Sequence, residues 1–313
     1  MSAPSHPESA PPATAPAEDP RTPLGPALDT IRRLVALDTE RGATAAVPAV
    51  RETLRRFPEL SADPASLHAE DGDLLAALAE LAEVIGWILF DAGLHPPARR
   101  MNARALALAG LCGDRWTARL VLLNHSMLEA HTGRPRAALA SAARVGGPKP
   151  LPARVHSLVL IRQAHAIAML GDRREPLALI GRSRSRFLDG VSRRDPHWAW
   201  WIDESELLGH RGWVLARLRY WDRAIPLLHA AATAPGPSYR HLFTAELLAA
   251  LVRAGAWNEA EDLVAELAPR AAAIGSARTT GTLRRTARDV RRSGRAPGRL
   301  KDAAVHLLES LPA

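Results

Sequence analysis

Side chains able to do chemistry crowd into one stretch, His197 to Trp213, which holds Trp198, Trp200, Trp201, Asp203, Glu206, His210 and Trp213. On a helix Glu206, His210 and Trp213 fall at i, i+4 and i+7 and share a face, with Asp203 one turn earlier. A carboxylate and an imidazole between aromatic walls can form a ligand pocket or half of a metal site. They can equally form a packing cluster in which His210 bonds Glu206, the reading preferred from residue types alone, because buried aromatics dominate core energetics. A second cluster, Leu123 to His131, sets Asn124 and His125 inside an apolar helix. Such groups either hold an extended peptide in a groove or cap neighbouring backbone groups, since buried polar atoms need partners either way. The partner-binding candidates are therefore Asn124, His125, Trp200, Trp201, Glu206 and His210.

A third feature is basic. Arg278 to Lys301 carries nine basic residues and one acid, while the rest of the chain holds 32 of each sign. Leu283, Ala287 and Val290 make an apolar stripe there, and Arg284, Arg288, Arg291 and Arg295 share another face. That face is competent to contact phosphates. It has no interleaved aromatics and no second helix in a recognition-turn arrangement, so a solvated outer face is the preferred reading. Of 41 basic residues only Lys149 and Lys301 are lysines, which reads as a coding bias before it reads as nucleic-acid chemistry.

Catalytic signatures are absent. There is no phosphate-cradling Gly/Lys-Ser loop, no dinucleotide glycine fingerprint, no His-Glu-x-x-His and no nucleophile elbow. Cys112 is the only cysteine, which excludes a disulfide framework and a cysteine zinc site and leaves it as a small core residue. No catalytic residue, metal ligand or cofactor is assigned. Leu74 to Phe90, the most apolar run, carries Glu80 and Glu83 and is too short and too charged to span a bilayer. Residues 1–26 are rich in Pro and Ala, have no apolar pattern, and lack the basic and apolar regions of a secretory signal. A disordered tail and a soluble, cytoplasmic protein are the expectations.

The elements that must position these residues are helices. Strand alternation and Asn-Gly or Asp-Gly hairpin turns are missing, and Ala/Leu-rich blocks of helical period alternate with short Gly or Pro turns. Aligning Gly93, Gly133, Gly171, Arg219, Gly255 and Gly294 gives spacings of 40, 38, 48, 36 and 39 residues. Five positions after the turn stands a small residue (Ala98, Ala138, Ala224, Ala260). Nine positions after it stands an apolar or small one (Ala142, Ile180, Leu228, Val264, Ala303), and Trp221 and Trp257 come two after. A left-handed C-cap reverses the chain, the bulky residue wedges between two helices, and alanine lets their backbones approach. The expected organisation is preliminary helices over 27–60, a linker over 61–72 and paired helices over 73–311, with an extra loop, Phe187 to Ala199, in the 48-residue unit.

This pattern resembles the tetratricopeptide repeat, most closely at Arg219–Ile225 and Gly255–Glu261. Arg219 replaces the turn glycine and Pro176 the alanine after Gly171, and the long period also admits the HEAT or armadillo class. The resemblance implies an all-α, right-handed solenoid of helix hairpins with a concave groove. The blocks Leu81–Ala92, Leu123–Met127, Gly133–Leu139, Trp198–Asp203 with Glu206 and His210, and Gly275–Thr279 resemble the regulatory region of a group of bacterial helix-turn-helix transcriptional regulators of Cro/repressor type. In that group a DNA-binding domain precedes a tetratricopeptide-like region, and residues 1–26 are too short and Pro-rich to be such a domain. The resemblance implies a regulatory scaffold that binds a protein or peptide partner and acts on transcription indirectly, with self-association open. The alternatives are direct DNA binding through the Arg helix, and a small-molecule sensor or enzyme built on Trp198–Trp213.

Overall fold

Helix starts are set locally. Asp71, Asp114, Asp203 and Ser276 each accept a hydrogen bond from a backbone N–H of the following turn, which satisfies donors that a helix start leaves unpaired. The computed structural model describes residues 24–62, 71–236 and 238–312, and among them the chain is all-α, with no strand. Consecutive helices pair as hairpins: α1 (Leu24–Arg41) with α2 (Ala43–Arg56), α3 (Gly72–Asp91) with α4 (His95–Cys112), and α5 (Arg115–His131) with α6 (Pro135–Ala143). There follow α7 (Ala153–Met169) with α8 (Glu175–Leu188), α9 (Glu204–Arg217) with α10 (Trp221–Thr233), α11 (His241–Ala254) with α12 (Trp257–Leu267), and α13 (Ala277–Arg292) with α14 (Gly298–Ser310). Single 3-10 turns stand at His197–Trp201 and Ser238–Arg240.

The six aligned turns all fall between the two helices of a pair. Gly93, Gly133, Gly171 and Gly255 take φ of 78, 77, 94 and 78°. Beyond them Leu94, Arg134 and Ala256 donate to Leu89, Glu129 and Leu251 carbonyls at 2.8, 2.8 and 3.0 Å, closing the left-handed cap. Arg219 adopts the same conformation with φ 65° although it carries a side chain, and Tyr220 N donates to Leu215 O at 3.0 Å. Gly294 reverses the chain without a positive φ. Ala98, Ala138, Ala224 and Ala260 are all 0% exposed, as a close helix crossing requires.

The expected preliminary helices are α1 and α2, and α1 begins at Leu24 rather than after residue 26. They form one more hairpin, which turns at Gly42 with φ 80° and ψ 166° and so without the left-handed cap found at Gly93. Residues 1–23 of the expected tail and 63–70 of the expected linker lie outside the described residues.

Odd-numbered helices form a row in which α3, α5, α7, α9, α11 and α13 each touch the next, with even-numbered helices packed alongside. The row then returns on itself. Helix α13 touches α3, and α1 rests on α3 and on the Ser238–Arg240 turn. At this seam Thr44 N donates to Gly275 O at 2.9 Å. A Cβ on Gly275 would lie 2.0 Å from Arg41 O, and one on Gly42 would lie 2.7 Å from Gly275 Cα, so both positions need glycine. Inside the seam Arg278 Nε and Ser276 Oγ donate to Asp91 Oδ1 at 2.9 and 3.0 Å. The buried guanidinium lies 5.2 and 4.9 Å from the Trp87 and Phe90 ring centres.

Candidate functional site

The extra loop between α8 and α9 builds a wall. Its 3-10 turn inserts Trp198, Ala199 and Ile202 into a second apolar cluster with Leu120, Leu123, Val155, Leu158 and Val159 of α5 and α7. Arg194 Nη2 anchors the loop by donating to Pro150 O at 2.8 Å. With Trp198 fixed, Trp200 and Trp201 stand over a cavity of about 490 Å3. Helix α1 contributes Arg32 and Asp38 to its lining, α3 Glu80, Glu83 and Trp87, α5 Asn124, α7 Arg162, α9 Glu206, and the Ser238–Arg240 turn Tyr239. Five aromatic side chains and four carboxyl groups thus meet in one space drawn from α1 through the Ser238–Arg240 turn.

Each carboxyl is shaped by its surroundings. Asn124 Nδ2 donates to Glu83 Oε1 at 2.6 Å. Burial nevertheless pushes the Glu83 carboxyl up to about 8, the Asn124 bond only partly opposing it and Glu80 adding to it. Asp38 is raised to about 7 by burial and by Asp91, against the opposing pull of Arg278. Glu206 sits in the first turn of α9, where its N–H donates to the capping Asp203 at 2.9 Å. Burial raises it to about 7, with Arg162 and Arg240 pulling the other way.

Behind Glu206 runs a buried chain. Glu206 Oε1 lies 3.0 Å from His210 Nε2, Arg162 Nη1 lies 3.1 Å from the same nitrogen, and His165 Nε2 lies 3.2 Å from His210 Nδ1. One ring nitrogen cannot accept from Arg162 and donate to Glu206 together. When Arg162 donates to Nε2, His210 Nδ1–H donates to His165. When His210 Nε2–H donates to an ionised Glu206, His165 Nε2–H donates to His210. The charge of Glu206 is therefore tied to the tautomers of two imidazoles, both held well below the ordinary histidine value by burial first. Trp213 closes this layer, its ring centre 5.9 Å from His210 with the planes 19° apart.

No protein-family model, curated protein or solved structure matches the chain. The geometry must carry the functional reading.

Of the six residues singled out from sequence, Asn124, Trp200, Trp201 and Glu206 line the cavity. His210 sits behind it, 1% exposed. His125 does not reach it. One residue along α5 turns the imidazole toward α4, where it lies 3.4 Å from Asn102 Nδ2 and 3.7 Å from Glu129. The predicted pairing of Glu206 with His210 is present, and its packing partner is Trp213. Trp200 is 65% exposed and so is a rim residue rather than a core one.

The basic helix divides. Leu283, Ala287 and Val290 are buried as expected. Arg288, Arg291 and Arg295 are exposed and Arg284 is half-buried, Arg295 standing in the turn beyond α13. Arg278 points inward to Asp91 and takes no part in that face.

Sequence reasoning missed Asp38, Glu83, Trp87, Arg162 and Tyr239. Two carried a signal, for Glu83 and Arg162 are charges inside strongly apolar helical runs. Asp38 carried none, because it enters the site only through the return of α1 onto α3.

Proposed function

We propose that the chain is a non-catalytic regulatory binding protein, a tetratricopeptide-like right-handed α-solenoid whose concave side encloses a ligand cavity. The observation that carries this reading is the cavity itself, since about 490 Å3 bounded by aromatic rings and a few polar groups suits a compact ligand. An extended peptide lying in an open groove is supported less well, because Asn124, Glu206 and His210 are buried and already bonded to other side chains.

The regulatory step follows from where the walls originate. The ligand would touch α1, α3, α5, α7 and α9 together, so occupancy would bias how the first hairpin sits on the remainder. A protein partner reading the outer surface would respond to that bias. An indirect effect on transcription in the cytoplasm, which the likeness to regulators of Cro/repressor type implies, fits such a device.

A thermal-shift survey of small molecules and short peptides tests the reading. Tryptophan emission is recorded in parallel, and the variant carrying both Trp200→Ala and Trp201→Ala serves as control. A ligand at a hundred times its Kd stabilises the folded protein by about 2.7 kcal/mol. Ligands that stabilise the wild type and not the variant support the cavity. Ligands indifferent to the two tryptophans place binding elsewhere and refute it.

Exposure of Arg288, Arg291 and Arg295 favours one second reading, nucleic-acid contact by α13. It demands an affinity that falls steeply with salt and is lost on replacing those three arginines.

A further inference from the structure

The cavity lining is unbalanced in charge. Among the described residues it presents the carboxyls of Asp38, Glu80, Glu83 and Glu206 against two guanidinium groups, Arg32 and Arg162. Arg32 pairs with Asp29 on the solvent side. Arg162 lies on the neutral His210 and offsets part of the charge of Glu206, which leaves the carboxyls in excess. The remaining cations nearby are also engaged, Arg240 with Asp203 at 2.6 Å and Arg278 with Asp91 at 2.9 Å. Glu206 is 5% exposed, yet among the described residues its Oε2 has no hydrogen-bond partner and finds only Arg240 Nε at 3.9 Å. A buried carboxylate oxygen left in this way is an acceptor awaiting a donor. The same cavity is lined by Trp87, Trp198, Trp200, Trp201 and Tyr239, and aromatic ring faces attract positive charge, as Arg278 against Trp87 already shows.

We propose that the cavity binds an organic cation, an ammonium or guanidinium group on an apolar body, with its charge toward the Glu83 and Glu206 carboxyls and its body against Trp87, Trp200 and Trp201. The proposal rests on the cavity being the ligand site and names the ligand's chemistry. Two sources share that chemistry, a free amine and the basic side chain of a protein partner entering past Trp200.

The protonation of the lining agrees. The groups facing the carboxyls are Arg32 from α1, Asp91 from α3, Asn124 from α5, Arg162 and His165 from α7, His197 from the aromatic turn, Asp203 and His210 at α9, Tyr239 and Arg240 from the short turn, and Arg278 from α13. Within that set Glu83 titrates at about 8 and Glu206 and Asp38 at about 7, so the empty cavity retains protons around neutrality. An arriving cation favours the ionised carboxylates and expels those protons. Cation affinity therefore rises as pH climbs from about 6 to about 8.

The test uses the intact protein and probes matched in shape. Phenethylammonium, 2-phenylethanol and 3-phenylpropionate supply positive, neutral and negative versions of one body. A capped Ala-Ala-Arg-Ala-Ala peptide and its citrulline counterpart supply the partner-derived version. Tryptophan emission and melting temperature are read for the wild type, Glu83→Gln and Glu206→Gln. Glutamine copies the protonated carboxyl in size and charge, so these variants should fold as the wild type does.

The expected result is binding of phenethylammonium, the arginine peptide or both, with neutral and anionic counterparts weaker by about tenfold or more. Either glutamine variant should lose about tenfold in cation affinity, and its rise with pH should be shallower than that of the wild type. Binding of the peptide alone assigns the cation to a partner's side chain, and binding of the amine alone assigns it to a free metabolite. Equal or tighter binding of the neutral or anionic probe overturns the cation while leaving a ligand cavity in place. Failure of every probe at millimolar concentration overturns both.

Discussion

Gly275→Ala is the sharpest perturbation of the seam. The added methyl would stand 2.0 Å from Arg41 O and 2.8 Å from Gly42 Cα, both backbone atoms that no side-chain rotation can remove. Gly275 does not have a positive φ, so alanine introduces no backbone strain and the whole effect is steric. Relief requires α1–α2 to withdraw from the α12–α13 connection, which stretches the Thr44–Gly275 bond. Overpacking of this kind costs about 1–3 kcal/mol, and the weakened hydrogen bond adds about 1 kcal/mol. A loss of about 2–4 kcal/mol is expected. Urea unfolding followed by tryptophan emission measures it, with small-angle scattering reporting an expanded native state. Gly110→Ala is the internal control, because no atom of the described residues lies within 4 Å of the new methyl. On the exposed side of α4 it should gain up to about 1 kcal/mol. A Gly275→Ala protein within about 0.5 kcal/mol of wild type, with unchanged scattering, would refute the closure of α13 onto the first hairpins.

Arg219→Gly should stabilise by about 0.5–1 kcal/mol in the same urea assay, because the left-handed φ of 65° penalises a side chain; destabilisation would mean the side chain earns its place in packing. Arg278→Ala should cost about 3–5 kcal/mol by leaving Asp91 buried and unpaired, whereas the exposed Arg288→Ala should stay within about 0.5 kcal/mol; equal effects would contradict the inward placement of Arg278. Thermal stability should peak near about pH 6.5. Folding raises Asp38, Glu83 and Glu206 above their unfolded values, so their contribution is complete at low pH and is lost as pH rises toward 8. It lowers His165 and His210, and His131 to about 3, so theirs is lost as pH falls below 6.5. A melting temperature that climbs steadily from pH 6.5 to 8 would count against these burial assignments.

The hairpins were legible in the chain because their causes are local. A left-handed turn, an alanine five residues on and an apolar residue nine on act within one pair of helices, and Ala98, Ala138, Ala224 and Ala260 are buried for that reason. The long 187–199 connection was legible too, as a departure from the repeat length. The seam was not, since Gly42 and Gly275 lie far apart in sequence and nothing near either marks its partner. The cavity was half legible. The aromatic turn and Glu206 stand together in sequence, but Asp38 and Glu83 join them only through the packing of α1 and α3. The adjacent pair Asn124 and His125 shows the limit, because a step of one residue on a helix sends neighbours to different faces.

Calorimetric titration of phenethylammonium at about pH 7, in phosphate and in Tris, counts the protons exchanged on binding because the two buffers ionise with different enthalpies. Cavity carboxyls that hold protons when empty predict net proton release on binding, reduced but not abolished when Glu83→Gln and Glu206→Gln are combined, because Asp38 remains. Binding with no proton exchange, or with release undiminished in that double variant, would contradict it.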